Sequence, residues 1–107
     1  RSIDVSKFNT TGINNMRYMF YACANLINLN LSNFNTDRVT DMSYMFANCE
    51  RLLSLDIRNF NFNNVSSYVG MFNSVPNNCE IIVADDGAKR WITSKFSNLT
   101  NVKVVGE

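Results

Sequence analysis

The sequence has no histidine, a single proline and four glycines, and its formal net charge is only +1. Histidine is the commonest general base and the commonest metal ligand, so its absence argues against most acid–base catalysis and most metal sites. The balanced charge supplies no basic patch for nucleic acid. No apolar run approaches the roughly 20 residues that span a bilayer. We therefore expect no enzyme, no catalytic residues, no metal or other cofactor, no nucleic-acid partner and no membrane insertion by this segment.

Asparagine, in contrast, is the most frequent polar residue, with 18 copies. Its amide hydrogen-bonds nearby backbone groups and tolerates left-handed conformations, which is typical of turns and helix caps. Asparagine-rich tracts also occur in disordered chains. Here hydrophobic residues make up 46% of the composition and recur regularly, which argues against disorder. The composition therefore favours a folded protein with many corners.

Apolar residues recur at an interval of 26 residues along the whole chain. The interval relates all the methionines and several aliphatic and aromatic ladders: Met16/Met42, Met19/Met45/Met71, Ile3/Leu29/Leu55/Ile81, Val5/Leu31/Ile57/Val83, Phe8/Phe34/Phe60, Ile13/Val39/Val65 and Phe20/Phe46/Phe72. A period of this size is typical of a solenoid, in which each repeat buries its apolar face against its neighbours. The chain begins at Arg1 in mid-repeat, so we expect a fragment of a longer protein whose targeting signal lies elsewhere.

A single repeat, residues 28–53, predicts a strand, a corner and a short helix. Leu29 and Leu31 alternate with polar residues, as in a half-buried strand. Val39, Met42 and Phe46 then follow at helical spacing. We predict parallel strands near residues 2–5, 28–31, 54–57 and 80–83 with right-handed crossovers. We also predict helices near 15–21, 41–47 and 67–73, capped by Asn14, Thr40 and Ser66.

The expected fold is therefore α/β, a right-handed solenoid with a parallel sheet on one side and short helices on the other. About three 26-residue repeats occupy residues 1–79, the first of them truncated, and residues 80–107 form a strand–helix–strand cap. Within this cap we predict a helix over 87–96 and a last strand over 101–105. The core should contain, nearly inaccessible to solvent, Phe20, Phe46, Met19, Met45, Leu29, Leu31, Leu55 and Ile57.

Two features could be chemical sites, but each also has a structural interpretation. Asp85 and Asp86 precede the last helix, where carboxylates suit the helix dipole, and no third ligand accompanies them. Capping is therefore favoured over a metal or catalytic site. Cys23 and Cys49 occupy the same slot in consecutive repeats, roughly one strand spacing (~5 Å) apart, which is within disulfide reach. Two buried free thiols are the favoured alternative, because the spacing follows from the repeat alone.

The repeat strings resemble a known family. LNLSNFNTDRVTDMSYMFANC and IDVSKFNTTGINNMRYMFYAC are similar to the BspA-like branch of bacterial leucine-rich repeats, which runs close to LxxLDLSNFNTSNVTDMSYMFxxC. The signature L-x-x-L-x-L is present at Leu26, Leu29 and Leu31. The resemblance implies a leucine-rich-repeat-like solenoid without a catalytic motif. It also implies a bacterial protein that is secreted or attached to the cell surface, often a lipoprotein or adhesin.

The outward strand positions form the expected contact surface. We name as the tentative partner-binding face Asn28, Asn30, Ser32, Ser54, Asp56 and Arg58. Leucine-rich solenoids bind partners with the concave sheet, so the expected function is a non-enzymatic interaction or adhesion module for a host or matrix protein. The alternative is a structural stalk with no ligand of its own. Tyr18 and Tyr44 are a second candidate patch. The truncated first strand also favours self-association through its open edge.

Overall fold

The computed structural model describes residues 3–106. Four short parallel strands form one sheet in chain order: β1 (Asn28–Asn30), β2 (Ser54–Asp56), β3 (Glu80–Val83) and β4 (Val102–Val104). The register places Leu29 beside Leu55 and Leu55 beside Ile81, so residues 26 apart in the sequence are neighbours. The last step is shorter, because Ile81 pairs with Val102. The parallel strands predicted near residues 28, 54, 80 and 101 are therefore confirmed.

The strand predicted near residues 2–5 is not present over residues 3–5, and its remaining residue lies outside the described part of the chain. We use "segment" for the stretches that lie side by side in this register: the first (3–27), the second (28–53), the third (54–79) and the C-terminal segment (80–106). The first segment contributes no strand to the sheet within residues 3–27; it pairs with the second segment through an isolated bridge between Asn15 and Asp41 and through backbone hydrogen bonds that follow it. Its lack of a strand leaves β1 as the outer strand of the sheet.

Aromatic and aliphatic ladders fill the space between the sheet and the far side of the segments. Leu29, Leu55 and Ile81 point inward from successive strands and are buried. The ring centroids of Phe20 and Phe46 are 5.9 Å apart, and the planes are nearly parallel. Of the eight residues predicted to be inaccessible, seven are buried, but Met19 is 36% exposed. That prediction is wrong for Met19 because nothing in residues 3–106 covers this end of the Met ladder.

The helices predicted near 15–21, 41–47 and 67–73 are wrong. All three stretches consist of turns; 67–73 is closed by bonds within its own segment, such as the Met71 N–H to the Tyr68 carbonyl, whereas in 15–21 and 41–47 alternate N–H groups donate to the next segment. For example, the Tyr18 N–H donates to the Ser43 carbonyl at 3.0 Å and the Phe20 N–H to the Met45 carbonyl at 2.9 Å. Tyr18 lies in the left-handed region at φ 62°. A residue in that region ends a right-handed helix. The turns therefore place apolar residues at the same spacing as a helix does, although they are not helical.

The three residues predicted to cap those helices join the segments instead. The Thr40 N–H donates to the Asn14 carbonyl at 2.9 Å, and the Ser66 N–H donates to the Thr40 carbonyl at 2.9 Å. The Thr40 hydroxyl donates to the same Asn14 carbonyl at 3.2 Å. These polar residues therefore form a hydrogen-bonded column between segments.

Asn and Asp side chains close corners of the first three segments. In all of them a side-chain oxygen accepts the N–H of the residue two positions later, which is an Asx turn. The pairs fall in three columns: Asp4/Ser6, Asn30/Ser32 and Asp56/Arg58; Asn9/Thr11, Asn35/Asp37 and Asn61/Asn63; and Asn15/Arg17 and Asp41/Ser43. The abundance of asparagine in the sequence therefore follows from the number of corners.

The helix of the described chain, α1 (Asp86–Lys95), packs across the third segment. Asp85 caps it, since its Oδ1 accepts the Ala88 N–H at 2.9 Å. Trp91 stacks on Phe62 with ring centroids 4.2 Å apart, and Phe96 packs edge-on against Phe72 at 5.0 Å. The predicted helix is confirmed, and the capping role predicted for the acidic pair is confirmed for Asp85.

Candidate binding surfaces

The outer side of the sheet brings together four residues of the tentative partner-binding face. The register aligns Asn28 with Ser54 and Asn30 with Asp56. These four residues, together with apolar side chains from the flanking segments, line a shallow depression of about 350 Å³. Asn28 and Asn30 are exposed, whereas Asp56 is buried. The sheet therefore carries a polar concavity with amide groups at its rim.

Two members of this face are already paired with each other. The Arg58 guanidinium donates to both carboxylate oxygens of Asp56, with Nη2 2.8 Å from Oδ2 and Nε 3.0 Å from Oδ1. The side-chain hydrogen bond to Asp56 raises the pKa of Arg58 further above its ordinary value. A partner that contacts this corner would therefore find Asp56 and Arg58 already paired with each other.

The amides on the same face have unused donors and acceptors. Asn30 uses its Oδ1 to accept the Ser32 N–H at 2.9 Å. Its amide nitrogen has no hydrogen bond within residues 3–106, and the Asn28 side chain makes none with that part of the chain either. Ser32 and Arg58 lie beyond the strand ends, in the Asx turns. The hydrogen-bonding capacity of the face is therefore concentrated at Asn28 and Asn30.

A second surface combines stacked tyrosines with an arginine. Tyr18 lies parallel to Tyr44 with centroids 5.0 Å apart, and Tyr21 meets Tyr18 edge-on at 5.2 Å. The Arg17 guanidinium carbon lies 5.3 Å from the Tyr18 centroid, and Arg17 is also within 3.6 Å of the Asp41 carboxylate. Tyr and Arg are the residues that dominate binding hot spots. Tyr44 is only half-buried although Tyr18 covers one of its faces.

The Asp41 carboxylate links this patch to the backbone. Partial burial opposes its ionisation, but hydrogen bonds from the Ser43 N–H and hydroxyl, together with the Arg17 charge, outweigh that effect. The pKa of Asp41 is therefore held below its ordinary value. The carboxylate stays ionised at neutral pH and keeps Arg17 beside the tyrosine stack.

A third surface, which was not predicted from the sequence, is a groove between the third segment and α1. It has a volume of about 750 Å³, with Arg58, Asn61 and Asn63 on one side, Gly87 and Ala88 on the other, and Trp91 at its base. The groove depends on where α1 packs, which the repeat pattern does not specify. One feature of the sequence pointed to this groove. The 26-residue period places Phe62 in the position of Thr10 and Thr36, and the Phe62 ring stacks on Trp91.

The three cysteines are free thiols in the structure. The Cys49 Sγ donates to the Phe20 carbonyl at 3.1 Å. Burial raises the pKa of Cys49 to about 11 and that of Cys79 to about 12. Thiols with such pKa values are inert toward oxidation and metals at neutral pH. Their role in the structure is that of small buried side chains.

Two classes of site are missing from the described chain. Among residues 3–106, no three acidic, cysteine or histidine side chains are grouped as ligands for a metal ion. In the same range, no helix has the length and apolar character needed to cross a bilayer.

Over residues 3–106 the fold and its surfaces define an α/β protein with a four-stranded parallel sheet, one short helix and a register of 26 residues between the first three strands. The chain belongs to the family described as "Mycoplasma protein of unknown function, DUF285", which matches residues 1–103. This family is bacterial, and the match is compatible with the resemblance to BspA-like repeats. Neither the curated proteins nor the solved structures include a significant match.

Proposed function

We propose that the chain is a non-enzymatic interaction or adhesion module of a bacterial surface or secreted protein. Its architecture in this proposal is a BspA-like, right-handed solenoid of about three 26-residue repeats (1–79) with a C-terminal cap (80–107). The partner is a host or matrix protein that docks on the sheet. The observation that carries the proposal is the depression of about 350 Å³ on the outer side of the sheet, lined by Asn28 and Asn30, whose side-chain N–H donors have no partner within residues 3–106.

The physical case rests on what this face offers a partner. Its backbone is held in parallel strands, and the Asx turns fix the corners that follow, so little conformational entropy is lost on docking. Amide groups can donate and accept hydrogen bonds with an extended peptide or a loop. The charged members are neutralised within the face, so recognition would depend on shape and hydrogen bonding and respond weakly to salt.

The test replaces amide donors without disturbing the turn. In Asn30→Asp the side chain still accepts the Ser32 N–H but loses its two donor hydrogens. Combined with Asn28→Ala, it should weaken adhesion to immobilised matrix proteins (collagen, fibronectin, laminin) by about tenfold, the effect of one or two lost hydrogen bonds. The matched control is Asn9→Asp, which has the same Asx role toward Thr11 and the same charge change on another surface. Equal adhesion by the double variant and the control would reject the sheet as the binding face.

A structural stalk is the second candidate. It is favoured by the internal pairing of Asp56 with Arg58 and by the absence of an aromatic anchor on the depression among its described lining residues. A stalk predicts that the isolated chain binds none of the matrix proteins at micromolar concentration. It also predicts that cells carrying the complete protein lose adhesion only when a different domain is removed. Those two results together would replace the adhesion proposal.

A further inference from the structure

The N-terminal end of the structure exposes apolar side chains that are buried one segment later. We call this surface the N-terminal end face and define it by Ile3, Phe8, Met19 and Tyr21, which are between 36% and 51% exposed. The residues 26 positions further on are at most 2% exposed: Leu29, Phe34, Met45 and Ala47. These counterparts are covered by the segment that precedes them. The same positions on the end face have no such cover within residues 3–106.

The backbone of the end face also lacks hydrogen-bond partners within residues 3–106, and the unpaired groups are carbonyls on one side of the chain. The N–H groups of Met16, Tyr18, Phe20 and Ala22 all donate to the second segment, and those of Met42, Tyr44, Phe46 and Asn48 all donate to the third. The second-segment acceptors are the carbonyls of Asp41, Ser43, Met45 and Ala47, at 2.8 to 3.0 Å. The equivalent carbonyls in the first segment accept no hydrogen bond within residues 3–106: Asn15, Arg17, Met19 and Tyr21.

Left-handed residues explain this one-sided pattern. Tyr18 and Ala22 have φ values of 62° and 59°, and Tyr44 and Asn48 have 57° and 62°. With left-handed residues at these corners, the N–H groups of alternate residues point to one side of the chain, towards the following segment. The carbonyls then face the opposite side. The end face therefore presents a row of acceptors whose own N–H groups are already used.

The row of carbonyls favours some docking partners over others, because only hydrogen-bond donors can pair with it. Two end faces brought together would oppose carbonyl to carbonyl, so a symmetric pair of chains would gain no backbone hydrogen bonds there. The other end of a second copy carries the N–H groups of Gly70 and Phe72, but α1 packs beside them, with Trp91 against Phe62 and Phe96 against Phe72, and would stand between the two copies. A simple extended strand alternates donors and acceptors along its edge. None of these supplies a continuous row of donors together with apolar side chains.

We propose that the N-terminal end face is a directional docking surface for a further 26-residue repeat of this same pattern, stacked in parallel. The incoming repeat donates four N–H groups from its left-handed corner to the bare carbonyl row and covers Ile3, Phe8 and Met19 with its own ladder residues. The inference rests on the repeat architecture proposed above, and the geometry that supports it is the interface seen twice between the first, second and third segments. The sequence-based expectation of self-association through this end becomes an alternative outcome of the test.

The experiment adds the proposed occupant. A copy of residues 28–53 is placed directly before Ser2, in place of Arg1, so that the period of 26 continues. The amides copied from Met42, Tyr44, Phe46 and Asn48 should then exchange with solvent at least about 100-fold more slowly than in a control whose added residues are scrambled. Exchange as fast as in the scrambled control would overturn the proposal. Adhesion measured with the Asn28 and Asn30 variants does not depend on this result, so the two proposals can fail separately.

A second variant separates the backbone row from apolar contact. In the added copy, Asn48→Val places a β-branched residue at a left-handed position and leaves the Tyr44 ring, which would stack on Tyr18, and the inward side chains unchanged. Protection should fall by about tenfold or more. Full protection would show that apolar contact alone holds the repeat, and would overturn the claimed role of the carbonyl row. The original chain should sediment as a monomer at 50 µM (about tenfold above a typical micromolar Kd). A dimer that Phe8→Asp dissociates would identify a second copy as the occupant and contradict the proposal.

Discussion

The ring of Tyr44 lies against the α-carbon of Gly70, where a side chain at position 70 would overlap the Tyr44 ring carbons. Gly70 also has a left-handed backbone, with φ at +65°. In the tyrosine column Tyr18 covers Tyr44 and Tyr44 covers Gly70, so glycine ends the stack where a third ring would otherwise stand. Two independent constraints therefore fix glycine at this position.

Gly70→Ala should lower the free energy of unfolding by about 2–3 kcal/mol, because it adds left-handed strain and displaces the Tyr44 ring. Gly12→Ala is the matched control, since Gly12 also has a positive φ (+87°) but has nothing within 4 Å of the added carbon. It should cost only about 1 kcal/mol. Urea unfolding of both variants measures the difference. Equal losses would mean that the ring contact contributes nothing.

Phe46→Ala should lower the free energy of unfolding by about 3–5 kcal/mol, the usual loss for a large aromatic in a packed interior. Phe46 is fully buried between Phe20 and Phe72. Phe8→Ala provides the comparison, since Phe8 is about half exposed. It should cost less than about 1 kcal/mol. A loss below 1 kcal/mol for Phe46→Ala would contradict its placement at the centre of the aromatic ladder.

Thr36→Val should destabilise the protein by about 1–3 kcal/mol although it preserves shape, because it leaves buried backbone groups unpaired. The Thr36 hydroxyl accepts the Asn61 N–H at 2.7 Å and donates to the Asn61 carbonyl at 3.2 Å. Thermal unfolding should show a clear decrease in Tm. Thr11→Val, at an exposed position, should stay within about 0.5 kcal/mol of the original chain. A neutral Thr36→Val would show that water replaces the hydroxyl.

Cys23 should react with iodoacetamide at pH 8 well before the other two cysteines. It is half-buried, whereas Cys49 and Cys79 are buried with pKa values of about 11 and about 12. A thiol with a pKa near 11 is ionised to roughly one part in a thousand at pH 8. Mass spectrometry should therefore find one fast-reacting site, which Cys23→Ser removes. Modification of all three at similar rates in the native protein would contradict the burial, and in urea all three should react together.

The same shifts make stability depend on alkaline pH. Both folded-state pKa values lie above the unfolded value of about 8.5, so the two thiols stabilise the protein fully below that pH. Their contribution should be lost as the pH rises from about 8.5 towards 11 and 12. Urea midpoints from pH 7 to pH 10 measure the loss, and Cys79→Ala should reduce it. The same slope with and without Cys79 would assign the effect to other groups.

The first three strands could be predicted from the sequence because apolar and polar residues alternate around Leu29 and Leu55, and the 26-residue interval places Ile81 beside them. The corner over 41–48 could not, because hydrogen-bonded turns place Met42, Met45 and Phe46 at the same spacing as a helix does. What separates the two is the sign of φ at Tyr44, and tyrosine gives no indication of it. Gly70, in the same slot one period later, is a residue that favours the left-handed region.

For the candidate face, the sequence predicted the alignment of the strand residues, and their role in binding stays a prediction. The register brought Asn28, Asn30, Ser54 and Asp56 together as expected, because strand alternation fixes which side chains point outward. The ion pair between Asp56 and Arg58 could not be predicted, since it depends on the side-chain rotamer of Arg58, which lies beyond the strand end. The groove beside Trp91 was missed for a related reason, because it forms between elements that share no periodic relationship.

The rows of N–H groups that all donate in one direction also make the molecule electrically polar. In an α-helix aligned peptide units place a partial positive charge at one end and a negative one at the other. Here the aligned units lie across the segments, from the carbonyls of Arg17 and Met19 at one end to the N–H groups of Gly70 and Phe72 at the other. Each further segment in the row would lengthen the same dipole. A long array of this kind would add a partial negative charge at its first segment and a partial positive charge at its last to the charges of its side chains.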